Sequence, residues 1–249
     1  MIKPWLRFFR VVNLPTVPGD VWVGAVAAWA GVGIVTDYGA ALVNATVASA
    51  CLYLYGLADN DIVGAKTDRD RPIPEGRISL TAARVARALC LLAALAAGHL
   101  PDPVSGCPLP GAWWVVASLL LLSTVLYNRT KLWWLMGVCR GLNVASGAAA
   151  ALGAVACYPD CSDLVVGDFW ALGVVLLVWT VYIAAVTKYS EGEELDAAKR
   201  RRVGFLVGAI VYLQITALLL FRSGIVVLMA VLLVVLRLSK RLLPEVSAS

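Results

Sequence analysis

The chain has 249 residues, 61% of them hydrophobic and only 15% charged, with a mean hydropathy of +0.82 and a formal net charge of +5. Soluble domains carry about 25% charged residues, so the composition excludes an ordinary soluble domain and places the chain in a lipid bilayer. The excess of base is confined to one side of the bilayer by the reading below, which excludes a nucleic-acid partner as its explanation.

In chain order, residues 1–15 interleave Lys3, Arg7 and Arg10 with Trp5, Leu6, Phe8 and Phe9. No small-residue cleavage site follows a short apolar core, so this is an interfacial helix and not a signal peptide. Eight apolar segments follow, at about 18–36, 40–58, 83–100, 111–127, 134–156, 168–187, 203–221 and 224–238. Most reach the ~17–25 residues a helix needs to cross the hydrocarbon core, and the last is short. Leu, Val, Ala and Trp at these lengths predict helices; barrel strands would alternate over ~10 residues. The expected fold is an all-α polytopic membrane bundle of about eight spans, with one domain covering residues 1–249. With the N-terminus in the cytoplasm, every Lys and Arg except Arg222 falls on the inner side. That is the positive-inside rule, and it puts both termini in the cytoplasm, with a bacterial inner membrane as the expected location.

Several residue types then resolve simply. Cys51, Cys90 and Cys139 fall in spans or at their edges and read as small buried hydrophobes. Cys107, Cys157 and Cys161 fall on the outer side, where a bridge among three thiols stays open in both directions. Trp5, Trp113, Trp114, Trp133 and Trp134 lie near span ends, as an aromatic belt does. The single histidine, His99, sits in an outer loop, which argues against a His-based zinc site or a Ser-His-Asp triad at the inner face.

Chemistry concentrates in two charged inner connections, about 59–82 and 188–202. The first carries Asn60, Asp61, Lys66, Asp68, Asp70 and Arg71. Charge of both signs at a membrane boundary is costly and marks a working site. If the second span's helix continues past Asn60, then Asn60, Gly64 and Asp68 share one face with Asp61 beside them. Hard oxygen donors so placed suit Mg²⁺, which takes one or two carboxylates together with phosphate oxygens and water. Gly64 leaves a gap in that row, which Asp70 fills if Pro72 ends the helix nearby. The second connection carries Glu191, Glu193, Glu194 and Asp196, with Glu191 and Glu194 at i, i+3. An exposed acidic turn and a second carboxylate set facing the first are both open readings of it. Bases for a phosphate are Lys131, after Tyr127, and Arg140, which shares a face of the fifth span with Asn143.

Several stretches resemble the UbiA superfamily of intramembrane prenyltransferases. They are Arg10 to Thr16, Asn60-Asp61, Arg71-Pro72-Ile73-Pro74-Glu75-Gly76-Arg77, Tyr127 to Lys131, and Cys139 to Asn143. They occur in the family's order over most of the chain, and their wording is most similar to the EboC-like branch. The resemblance implies a helical bundle whose cytoplasm-facing cavity binds a Mg²⁺-bound isoprenyl diphosphate and passes its allyl group to an acceptor. It implies Asn60, Asp61 and Asp68 for the first metal cluster, with Asp61, Asp68 and Lys131 central to catalysis. Glu191 and Glu194 would form the second cluster, with Asp70, Glu193 and Asp196 as alternates. Lys66, Arg71, Lys131, Arg140 and Asn143 would contact diphosphate. Gly64 stands where the family's first motif has its middle Asp, and the family's nine spans exceed the eight read here. Two other functions compete with the enzyme: a noncatalytic isoprenoid- or lipid-binding protein of the same fold, and a small-molecule transporter. A transporter would place its polar residues near mid-bilayer, whereas most here lie at the inner ends of the spans.

Overall fold

Inside a bilayer no water satisfies backbone N–H and C=O groups, so long apolar segments bond within themselves as helices. The computed structural model of the protein describes residues 2–32, 39–101, 108–156, 169–191, 197–220 and 233–234. These form eight α-helices and, among the described residues, no strand: α1 (Ile2–Phe8), α2 (Thr16–Val32), α3 (Gly39–Val63), α4 (Leu80–His99), α5 (Gly111–Thr130), α6 (Trp133–Ala156), α7 (Trp170–Ser190) and α8 (Ala197–Leu220). Seven segments are long and apolar enough to cross a membrane, so this is an integral multi-pass membrane protein. The predicted eighth span at 224–238, Arg222 and the outer-side Cys107, Cys157 and Cys161 lie outside the described residues, residues 233–234 excepted.

The centre of the bundle is the α2–α6 pair. About 67% of the apolar window of α2 and 56% of that of α6 is buried within the protein, against 17% for α4, which faces lipid. Helix α6 also packs on α3, α5 and α7, while α2 reaches α3, α7 and α8. The intimacy of the pair is set by two glycines. A Cβ on Gly24 would run into the carbonyl oxygen of Val144, and one on Gly147 into that of Val21. Lipid gives helices no hydrophobic reason to associate, so small residues that let backbones approach supply the packing instead. The Gly- and Ala-rich fifth span thus serves as a packing surface: Gly141 and Gly137 admit Thr180 of α7, and Gly153 admits Pro110.

At one end of the bundle α1 lies against the α3–α4 connection. Phe8 is fully buried with Ala58, Ile78 and Ala83, and Trp5, Phe9, Ile62 and Ile73 pack around them. Trp5 is stacked on Phe9 at 6.0 Å, so it belongs to this cluster more than to an aromatic belt. Trp113, another expected belt member, is 1% exposed and packs edge-on against Trp114. Trp133 and Trp134 do face outward, at 36% and 45% exposure.

Helix α3 stops at Val63, well before Pro72, and tightens into a 3₁₀ turn at Gly64–Lys66. The proline therefore does not end the helix. In the turn that follows, the Gly64 carbonyl accepts from the N–H groups of Thr67 and Asp68, both at 2.9 Å, and from Thr67 Oγ1 at 3.2 Å. Pro72 lies inside a knot of turns in which its carbonyl accepts from Arg77 and Ile78 at 3.0 and 3.1 Å. Gly76 closes the knot at φ 70, a left-handed conformation that glycine adopts freely. Arg7 ties the knot to α1 through Glu75 at 2.9 Å and the Asp70 carbonyl at 2.9 Å.

Candidate functional site

A cavity with about 720 Å³ of empty space, including its open mouth, lies between α3, α5 and α6. Its apolar walls are Leu52, Leu57, Leu120 and Met136, and Arg10, Asn60 and Tyr127 stand among its polar lining.

Three consecutive residues at the end of α3 point three ways, as the ~100° helical step requires. Asp59 is 1% exposed and turns to its neighbours: Arg87 of α4 donates to it at 2.7 Å and Asn128 of α5 at 3.0 Å. Asn60 lines the cavity and its Oδ1 accepts from the Lys131 ammonium. Asp61 is 1% exposed, and its Oδ1 accepts from Arg10 at 3.3 Å. Its Oδ2 is buried with no hydrogen-bond partner among the described residues, and neither Arg71 Nη1 nor Arg10 Nε has one. Buried charge-bearing atoms left unpaired are expensive, and such a group marks where a ligand completes the shell.

Asp68 explains Gly64. A Cβ on Gly64 would lie 2.6 Å from Asp68 Oδ2, so the Asp68 carboxylate occupies the space of the missing side chain. The turn delivers an acid to the position the helix left empty. Arg71 and Lys131 both feel Asp61, Asp68 and Arg10. Burial, and then the neighbouring Arg10, hold the Arg71 guanidinium below its ordinary range, while Asp61 and Asp68 pull the other way. Burial likewise pushes the Lys131 ammonium down, against the pull of Asp68. Asn60, Asp61, Asp68, Arg71 and Lys131 therefore share one site, and Arg10 joins them.

The other predicted residues are placed differently. Lys66 is exposed at the end of the 3₁₀ turn. Asp70 takes part through its carbonyl, on Arg7. Arg140 and Asn143 line the cavity but are clamped to Asp20 of α2, at 2.5 and 3.1 Å. Glu191 pairs with Lys188 at 2.8 Å, and its carbonyl accepts from Lys199. Lys188 lies 5.9 Å from the Trp133 ring, which brings the end of α7 beside the α5–α6 turn that carries Lys131. Glu193, Glu194 and Asp196 lie outside the described residues. Among the described residues no three of His, Cys, Asp and Glu cluster tightly enough to hold a metal by themselves. The donor set at the first cluster, two carboxylates and an amide with an orphaned Asp61 oxygen, nevertheless fits Mg²⁺ that shares its shell with phosphate and water.

Sequence reasoning passed over three residues. Arg10 reads as a topology determinant, yet it sits in the left-handed region at φ 41 with its guanidinium on Asp61. Asp59 is masked by the more eye-catching Asn60-Asp61. Asp20 is an acid in an otherwise apolar span, and the signal was there: an intramembrane acid needs a partner, and Arg140 is an intramembrane base.

No family model and no curated protein matches the sequence. In three dimensions the chain is similar to a solved structure of digeranylgeranylglyceryl phosphate synthase, a UbiA-type prenyltransferase. The likeness covers 99% of this chain and 92% of that one, at a TM-score of 0.55 and 14% identity. At that identity it establishes a UbiA-like fold and does not extend to the EboC-like branch.

Proposed function

We propose that this chain is an intramembrane prenyltransferase that transfers an isoprenyl group from an isoprenyl diphosphate to an acceptor. The observation that carries the reading is the buried Asp61 with one unpaired oxygen, set among Asp68, Arg71 and Lys131 and beside Asn60 and Arg10, which line the mouth of an apolar cavity. Two acids facing three bases leave an excess of positive charge, which suits a diphosphate. In the proposed reaction the allylic C–O bond breaks and its electron pair leaves with the diphosphate. The acceptor's nucleophilic atom then gives a pair to the freed carbon and sheds its proton. Arg10, Arg71 and Lys131 stabilise the charge that builds on the departing oxygens. Leu52, Leu57, Leu120 and Met136 keep water from the carbocation-like fragment. Mg²⁺, held by Asn60, Asp61 and Asp68, would supply Lewis-acid charge to the phosphate oxygens. Glu194, with Glu191 reoriented from Lys188, would complete a second set. The site end carries Arg7, Arg10, Arg71, Arg87 and Lys131, so in this reading it faces the cytoplasm.

The test uses the purified chain in lipid nanodiscs with Mg²⁺, radiolabelled isoprenyl diphosphates of several lengths, and a membrane extract that supplies acceptors. Diphosphate release that requires Mg²⁺ and is lost in Asp61→Asn and Asp68→Ala is the expected result. Tight binding without release, across chain lengths and extracts, would identify a lipid-binding protein on the same scaffold and overturn the enzyme reading.

A further inference from the structure

The cavity has a second polar end. Ser49, Asn143 and Arg140 line it and are 2%, 5% and, for the Arg140 side chain, 13% exposed. At ~1.5 Å of rise per residue, Ser49 lies about 16 Å along α3 from Asn60, and Tyr53, beneath the Arg140 guanidinium, about 10 Å. A tunnel for an isoprenoid tail alone needs no such ledge, and polar groups at this depth are costly unless used.

Charge distinguishes this ledge from the mouth. Behind it Asp20, 0% exposed, accepts from Arg140 at 2.5 Å, Gln214 at 2.7 Å, Trp179 at 2.9 Å and Asn143 at 3.1 Å. That fills a carboxylate's acceptor capacity, so Asp20 offers nothing to the cavity except its charge, which neutralises Arg140. Of the five N–H donors of Arg140, three go to Asp20 and Thr16, and the remaining two have no acceptor among the described residues. Ser49 donates to Asn143 and keeps its own lone pairs. The ledge is formally uncharged and leaves two Arg140 donors and the Ser49 lone pairs for a ligand, while the mouth, lined by Arg10 and Asn60, has Arg71 and Lys131 against Asp61 and Asp68 around it.

We infer that the Arg140–Ser49–Tyr53 ledge is the acceptor's anchor, and that the acceptor presents an uncharged oxygen there, a hydroxyl or a carbonyl. An anionic group at the ledge would face the Asp20 charge with Arg140 already neutralised and the next cation, Arg10, paired with Asp61, in a medium that screens poorly. Arg140 and Asn143 thus belong to the acceptor and not to the diphosphate. This rests on the prenyl-transfer reading and deepens it.

Cys139 lines the same cavity and reports its occupancy. The purified chain in nanodiscs is treated with N-ethylmaleimide in the presence of benzamide or of benzoate, which match in shape and differ in charge. Modification of Cys139 is read by mass spectrometry against Cys51 and Cys90, which do not line the cavity. Benzamide at twice its dissociation constant slows Cys139 alkylation about threefold, and benzoate at equal concentration leaves it unchanged. In Asp20→Asn the Arg140 charge is released and benzoate becomes the better protectant. Equal or better protection by benzoate in the wild-type chain overturns the inference, whether or not Asp20→Asn folds. So does the absence of protection by either probe up to solubility. The experiment involves no isoprenyl diphosphate and no turnover, so its failure is separate from failure of the diphosphate-release assay.

Discussion

Lys131 carries two burdens that a substitution can separate. It caps α5 at φ 56 and ψ 22, its N–H bonded to the Tyr127 carbonyl at 2.8 Å, and among the described residues only Arg10 shares such a φ without being glycine. A left-handed conformation costs a residue with a side chain ~1–2 kcal/mol. Its ammonium is also held down by burial. Lys131→Gly removes the backbone strain; glycine's looser unfolded chain returns ~0.4–1 kcal/mol. Lys131→Ala keeps the strain, and both variants lose the ammonium and its bond to Asn60. The glycine variant is therefore expected to be more stable than the alanine variant by about 0.5–1 kcal/mol, an upward shift of about 1–4 °C for a chain this size. Thermal melting in nanodiscs, followed by tryptophan fluorescence, measures it. The pH dependence has a fixed sign. A lysine whose folded pKa lies below its ordinary 10.5 binds fewer protons folded than unfolded in the interval between the two, so wild-type stability rises with pH through that interval. Both variants lose that slope, and both lose diphosphate release. An alanine variant as stable as the glycine variant refutes the strain argument, and wild-type turnover in either removes Lys131 from the diphosphate site.

Gly64→Asp restores an acid to the helical row, yet its Cβ would meet Asp68 Oδ2 at 2.6 Å, so the two acids compete for one space. Turnover is expected to fall in Gly64→Asp and to recover in part in Gly64→Asp/Asp68→Ala relative to Asp68→Ala, read as Mg²⁺-dependent diphosphate release; an unimproved double variant sinks the substitution of one acid by the other. Gly147→Ala drives a methyl into the Val21 carbonyl, a backbone atom that cannot rotate away, and should cost about 1–3 kcal/mol in a melt. Arg87→Met strands the buried Asp59 carboxylate. Because the Arg87 side chain is 32% exposed, the loss is expected near 2 kcal/mol, below the ~3–5 of a fully buried pair, and a melt within error of wild type would show the pair to be idle.

Much of this arrangement was legible in the chain, because the bilayer imposes strong rules. Span length and helical composition follow from hydrocarbon thickness and from the cost of exposed backbone, and α2 to α7 fall near the predicted segments. Asn60, Asp61, Asp68, Arg71 and Lys131 were identified by residue type and meet in space. Less legible was everything set by a side chain's partner. Helical spacing predicts Asp68 on the Asn60 face only if the helix continues; it ends at Val63, and the turn brings Asp68 back by another route. Arg140 and Asn143 look like phosphate ligands in one dimension, and only the fold reveals that Asp20 claims them. The left-handed Arg10 has no sequence signature, since nothing in the stretch Phe9-Arg10-Val11 announces a positive φ.

The acid–base pairs point to one further conclusion about how this site and this fold depend on each other. Asp20–Arg140 joins α2 to α6, Asp59–Arg87 joins α3 to α4, and Asp61–Arg10 joins α3 to the segment after α1. Each acid in these pairs is at most 1% exposed, and each pair crosses between elements that enclose the cavity or stand next to it. Hydrocarbon surrounds the bundle, so apolar burial cannot bring these helices together as it would in water, and directional contacts take a larger share. Polar residues that define the cavity are then also residues that align its walls. The bundle keeps its likeness to the synthase structure at 14% identity, and in this chain each of these buried acids finds a base on a neighbouring element. The partners stand 28, 51 and 120 residues apart in the chain and within 3.3 Å in space. Within a single turn Asp68 likewise reaches the space that Gly64 leaves open.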